Sequence, residues 1–128
     1  SLEKYLQTPE WKVQEYKDII YLAELRSRSE YQRIELSVMI IGDLAVVTMP
    51  FEVFAEIGTD IKAGSRRKTA VFELTNGNAG YLPTAKAFGH QGGYETKTLF
   101  SSRFDEGAAS VVTAEIADML KEMDKEEI

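Results

Sequence analysis

The chain has 128 residues, a net charge of −6, 44% hydrophobic residues, no cysteine and one histidine, His90. That describes one globular unit with a real core. It excludes disulfides, thiolate chemistry and a self-contained multi-histidine metal site, and its acidic balance argues against nucleic acid as a partner. No apolar run approaches the roughly 18 residues of a transmembrane helix, and the opening SLEKYLQTPEW has no apolar signal-peptide region.

Thr8-Pro9-Glu10 is a helix start, with an N-cap oxygen, a proline at the first turn and an acid at the positive dipole end. The predicted helix runs to about Ser29. Trp11, Tyr16, Ile19, Ile20, Ala23 and Leu25 give it an apolar stripe, so it should lie on a sheet surface. Residues 31–41 alternate Ile34, Leu36, Val38 and Ile40 with Arg33, Glu35, Ser37 and Met39, the period of a half-buried strand. Gly42-Asp43 closes a hairpin onto residues 44–49, LAVVTM. That run lacks alternation and reads as a central strand covered on both sides.

Pro50 stops it. A helix is predicted from Glu52 to Ala63, with Val53, Phe54, Ile57 and Ile61 on one stripe and Gly64 as cap. Arg66-Arg67-Lys68 reads as a solvated turn. Residues 69–74, TAVFEL, form the next strand and empty into TNGNAGYLPT. Strand, crossover helix and strand make a βαβ unit of about 30 residues with parallel strands. Gly77, Gly80, Gly89, Gly92 and Gly93 then indicate unusual backbone angles or close approach. A helical turn is expected at 84–88, a strand at 94–98, and a final helix over 106–123 with Asp105 as N-cap and an acidic, frayed tail. The expected fold is α/β or α+β: a small mixed sheet with one parallel βαβ unit, an adjacent hairpin and flanking helices, in a single unit over 1–128.

The loops after both parallel strands lie at one sheet edge, where open α/β sheets place their sites. Glu52 is in the first and Tyr81 in the second. Taken alone, Glu52 is a first-turn acid matched to a helix dipole, and Tyr81 is a ring packed over a turn. No phosphate loop, nucleophile elbow, HExxH helix or cysteine-pair site is present in the sequence.

IGDLAVVTMPFEVFAEIG, LTNGNAGYLPT, GGYE and SRFDEGA occur in that order between about residues 40 and 107. This stretch resembles the C-terminal part of the catalytic domain of the neutral/alkaline non-lysosomal ceramidase family. The resemblance implies a zinc-dependent amidase that hydrolyses the amide of N-acyl sphingoid bases. It implies a zinc held by two histidines, a glutamate and a tyrosine, and places the last two at Glu52 and Tyr81. It matches Tyr94 to a catalytic tyrosine near the scissile amide. Phe51 stands where the family usually has glycine, and a bulky residue there would narrow the site or turn the glutamate. Asn78 stands where the family often has tyrosine.

In the family both histidines lie far upstream, and His90 is on the wrong segment to replace them. The expectation is therefore the C-terminal portion of a ceramidase-like hydrolase, partnered by the N-terminal half of the same polypeptide and inactive alone. Its substrate would be an N-acyl lipid, and the resemblance favours a secreted or periplasmic setting. Such a piece should expose an apolar surface and dimerise through it. The alternative is a non-catalytic binding or scaffold module that keeps the fold but not the metal site.

Overall fold

The computed structural model describes residues 9–89 and 92–125. Thr8, His90 and the end of the acidic tail, to which readings are attached above, lie outside the described residues.

Helix α1 spans Glu10–Arg28. Strand β1 (Ser37–Ile41) turns through Gly42, at φ 58°, into β2 (Leu44–Thr48). The two-residue loop sets the antiparallel register, with Ile41 opposite Leu44 and Ser37 opposite Thr48. Residues 30–36 are not strand, although Ile34 and Leu36 pack on the core. The ladder cannot extend further, because Thr48 is its last partner and Pro50 follows without an N–H.

Short strand β3 (Glu52–Val53) precedes α2 (Ala55–Gly64), and β4 (Lys68–Phe72) pairs parallel with β2. The three-stranded sheet has the order β1-β2-β4, so β2 is central. Strand β5 (Tyr81–Leu82), helix α3 (Ala85–Gly89), a 3-10 turn at Tyr94–Thr96 and helix α4 (Ala108–Lys125) complete the chain. The fold is thus a small mixed sheet with flanking helices, holding an antiparallel hairpin and a parallel β2-α2-β4 unit.

The core lies on one face of the sheet. Ala45 and Val47 of β2 meet Ile57 and Ile61 of α2 and Ala109, Val112, Ile116 and Leu120 of α4. The spacing of those α4 residues puts them on one helical stripe. Removing the fully buried Ile116 side chain to its β-carbon should cost about 2–5 kcal/mol.

Four local expectations are corrected. The predicted strand at 94–98 is a 3-10 turn, because the Thr96 hydroxyl and N–H both bond to the Gly93 carbonyl (3.1 and 3.3 Å) and draw the backbone into a turn. The basic run is not simply solvated: Arg67 Nε donates to Asp124 Oδ1 at 2.8 Å, fastening the start of β4 to the end of α4. Helix α1 buries none of its residues. Its side-chain contacts run not to the sheet but to the connector before α4, through the Tyr21–Phe100 ring pair and the Phe100 N–H bond to Asp18. Glu52 and Val53 are strand rather than helix, with consequences for the site.

Candidate functional site

Glu52 leaves the helix because its backbone is already engaged. Its N–H donates to the Gly80 carbonyl (3.0 Å) and the Phe54 N–H to the Leu82 carbonyl (3.3 Å). These bonds make β3 and β5 a second parallel pair, with Glu52 in direct register with Tyr81 and Val53 with Leu82. The helix-dipole reading of Glu52 therefore fails; Glu56 is the acid in the first turn of α2. In-register neighbours on parallel strands project to the same side. Phe51, one residue earlier, projects the other way. It is 1% exposed and meets Phe104 edge-on, with ring centroids 5.3 Å apart. A large residue there anchors β3 in the core.

The glycine-rich loop brings β5 into place. Leu74 and Asn76 adopt positive φ (51° and 60°), ending β4 and folding the chain back beneath Pro50 and Phe51. The Pro50 carbonyl accepts from Ala79 N–H (2.6 Å) and the Phe51 carbonyl from Leu74 N–H (3.1 Å). Asn78 Oδ1 accepts from Gly80 N–H at 2.9 Å, an Asx-type turn. Gly80 has φ 91°, and a β-carbon there would collide with the Ser101 carbonyl. Only glycine combines that angle with so close an approach. The same Ser101 carbonyl accepts the Tyr81 N–H at 2.7 Å, so β5 is held between β3 and the 99–102 turn.

Tyr94 joins from the 3-10 turn. Its hydroxyl lies 3.0 Å from that of Tyr81, and the two rings meet edge-to-face with centroids 5.4 Å apart. The Ser102 hydroxyl donates to the Tyr94 carbonyl (3.2 Å) and holds the turn against the same connector. Tyr94 remains 54% exposed, so the cluster opens to solvent on its side.

The hydrogen bond to Tyr94, and next the hydrogen bond to the Glu52 carboxylate, push the Tyr81 phenol well above the ordinary tyrosine value. Both neighbours favour the protonated form: a phenolate would have no proton to share with them and would face the Glu52 charge. Tyr81 is a neutral phenol in this setting. A cation beside it would reverse the balance.

The three residues singled out from sequence thus come together, Glu52 in register with Tyr81 and the Tyr81 hydroxyl bonded to that of Tyr94. Glu73 was not anticipated. Its Oε2 accepts the Val53 N–H at 2.8 Å, the one β3 donor facing away from β5. It braces the outer edge of β3 and so positions Glu52. An acid directly after β4, at the edge where β3 begins, was the available signal.

The cluster offers one carboxylate and two phenolic oxygens. Zinc in catalytic sites usually takes three protein ligands, most often including imidazole, plus water. Among the described residues no group of three or more histidine, cysteine or acidic side chains is placed to hold a metal. Glu52 and Tyr81 fit part of a zinc shell and do not complete one. No helix among the described residues is long and apolar enough to cross a membrane. No family model matches the chain, and no curated protein or solved structure matches it.

Proposed function

We propose that this chain is the C-terminal portion of a ceramidase-like, zinc-dependent amidase acting on an N-acyl lipid. Glu52 and Tyr81 would give oxygen ligands, and two histidines would come from a preceding part of the same polypeptide. The observation that carries the reading is the in-register pairing of Glu52 with Tyr81, completed by the Tyr94 hydroxyl at 3.0 Å. Two residues matched to ligands by resemblance, 29 positions apart, adjoin each other and the residue matched to the scissile amide. Zinc, when bound, would polarise the amide carbonyl and bring its water toward a pKa of about 7. The chain's own residues have simpler tasks. Tyr94 Oη, on the open side, would donate to the bound amide, while Glu52 and Glu73 hold the β3–β5 edge in register.

A donor set of two ligands also supports a second reading, a binding module that keeps the fold without the chemistry. The test is the complete reading frame. The full-length protein should hydrolyse an N-acyl sphingoid base and carry zinc, and Glu52→Gln should lose both. Retention of zinc and activity in Glu52→Gln and Tyr81→Phe would overturn the first reading. A full-length protein with neither zinc nor hydrolysis would favour the second.

A further inference from the structure

Residues 97–107 contain no helix or strand, yet the candidate site leans on them. They turn at 99–102, where the Ser102 N–H donates to the Leu99 carbonyl (2.9 Å) and the Leu99 N–H to the Ser102 carbonyl (3.4 Å). A turn closed in this way uses the groups of its first and last residues. The N–H of the second and the carbonyl of the third are left for other partners.

Those two groups go to different elements. The Ser101 carbonyl accepts the Tyr81 N–H (2.7 Å) and so holds β5. The Phe100 N–H donates to Asp18 Oδ2 of α1 (3.2 Å), 82 positions earlier in the chain. Gln14, one helical turn before Asp18, donates to its Oδ1 (2.8 Å), so each carboxylate oxygen has its own donor. The Phe100 ring adds two contacts. Tyr21, one turn further along α1, lies 5.6 Å away between centroids, and the Arg103 guanidinium lies 4.6 Å from the ring. The Ser102 hydroxyl bonds to the Tyr94 carbonyl (3.2 Å). The turn is thus tied at one corner to α1 and, through its serines, to both tyrosines.

We infer that Asp18 is a positioning residue for the Tyr81–Tyr94 pair: by holding the Phe100 N–H it sets the 99–102 turn, and the turn sets both tyrosines. Helix α1 buries none of its residues, so loss of this bond leaves the core intact and acts on the pair. The use of the pair in amide hydrolysis is the reading proposed above. Its placement by Asp18 is tested without activity, so either can fail alone.

The test compares two substitutions at one position. Asp18→Ala removes the acceptor, and alanine is the better helix former, so propensity does not weaken α1. Asp18→Asn removes the charge and keeps an oxygen for the Phe100 N–H. In Asp18→Ala, hydrogen exchange at the Tyr81 N–H should quicken about fivefold or more, the weight of one hydrogen bond. The NMR cross-peaks between the Tyr81 and Tyr94 rings, whose centroids are 5.4 Å apart, should weaken. Exchange in β2 should stay as it is, and Asp18→Asn should restore both readouts. Unchanged exchange and cross-peaks in Asp18→Ala would overturn the inference, because the turn would then stand without α1. Faster exchange through β2 as well would overturn it by making Asp18 a support of the whole fold. An Asp18→Asn variant as impaired as Asp18→Ala would do the same, since charge rather than the bond would then hold the turn.

Discussion

The Tyr81 and Tyr94 hydroxyls lie 3.0 Å apart although thirteen positions separate them in the chain. Tyr81 is fixed by strand pairing and Tyr94 by a 3-10 turn, and both anchor to the 99–102 turn through Ser101 and Ser102. The pair is therefore a sensitive reporter of whether the glycine-rich loop is in place.

Tyr81 should titrate late. Its folded-state pKa is raised, above all by the hydrogen bond to Tyr94 and then by Glu52. The folded state therefore keeps its proton at a pH where the unfolded chain has released it. The resulting stabilisation is fully present below the unfolded value of about 10 and is lost as pH rises toward the folded value. Phenolate absorbance should show a late-ionising component that disappears in Tyr81→Phe and moves to lower pH in Tyr94→Phe. An unchanged titration curve in Tyr81→Phe would contradict the geometry.

Two glycine substitutions should have opposite signs. Gly80→Ala meets both a positive φ and the Ser101 carbonyl, and should destabilise by about 1–3 kcal/mol or more. Gly58 is inside α2 with nothing within 4 Å of a new β-carbon, so Gly58→Ala should stabilise by about 0.5–1 kcal/mol. Urea unfolding midpoints measure both.

Removing the Glu73 carboxylate frees the outer edge of β3. Glu73→Ala should cost about 1 kcal/mol through loss of the bond to Val53 N–H, while Glu73→Gln keeps an acceptor and most of the stability. Hydrogen exchange should accelerate at Val53 and leave α4 unaffected. Uniform acceleration across the fold would show that Glu73 does not act locally.

The Arg67–Asp124 pair joins the residue just before β4 to the last turn of α4, with side chains only 13% and 21% exposed. Limited exposure and a direct 2.8 Å bond set it apart from the open Lys121–Asp118 pair, whose side chains are 69% and 70% exposed. Asp124→Ala should cost about 1–3 kcal/mol, and Asp118→Ala less than about 0.5 kcal/mol. Thermal unfolding of the two variants side by side separates them.

Sequence alone determined the elements whose signals are local. The hairpin followed from Gly42-Asp43, the central place of β2 from its unalternating apolar run, and α2 and α4 from apolar residues at helical spacing. The parallel crossover followed from strand, helix and strand in the order LAVVTM, EVFAEIGTDIKA and TAVFEL. It also proposed Glu52, Tyr81 and Tyr94 together, through motif resemblance rather than spacing. Tertiary structure decided what depends on distant partners. Glu52 belongs to a strand because Gly80 and Leu82 take the neighbouring N–H groups, and helical patterning around Ile57 cannot reveal that competition. Tyr94 sits on a turn because Thr96 bonds back to Gly93, against the strand preference of its neighbours. Arg67 is tied down because Asp124, 57 positions later, reaches it. Which face of β2 the core helices cover was invisible for the same reason. An apolar run does not say which of its residues meet a helix, and only the three-dimensional arrangement places Ala45 and Val47 against α2 and α4.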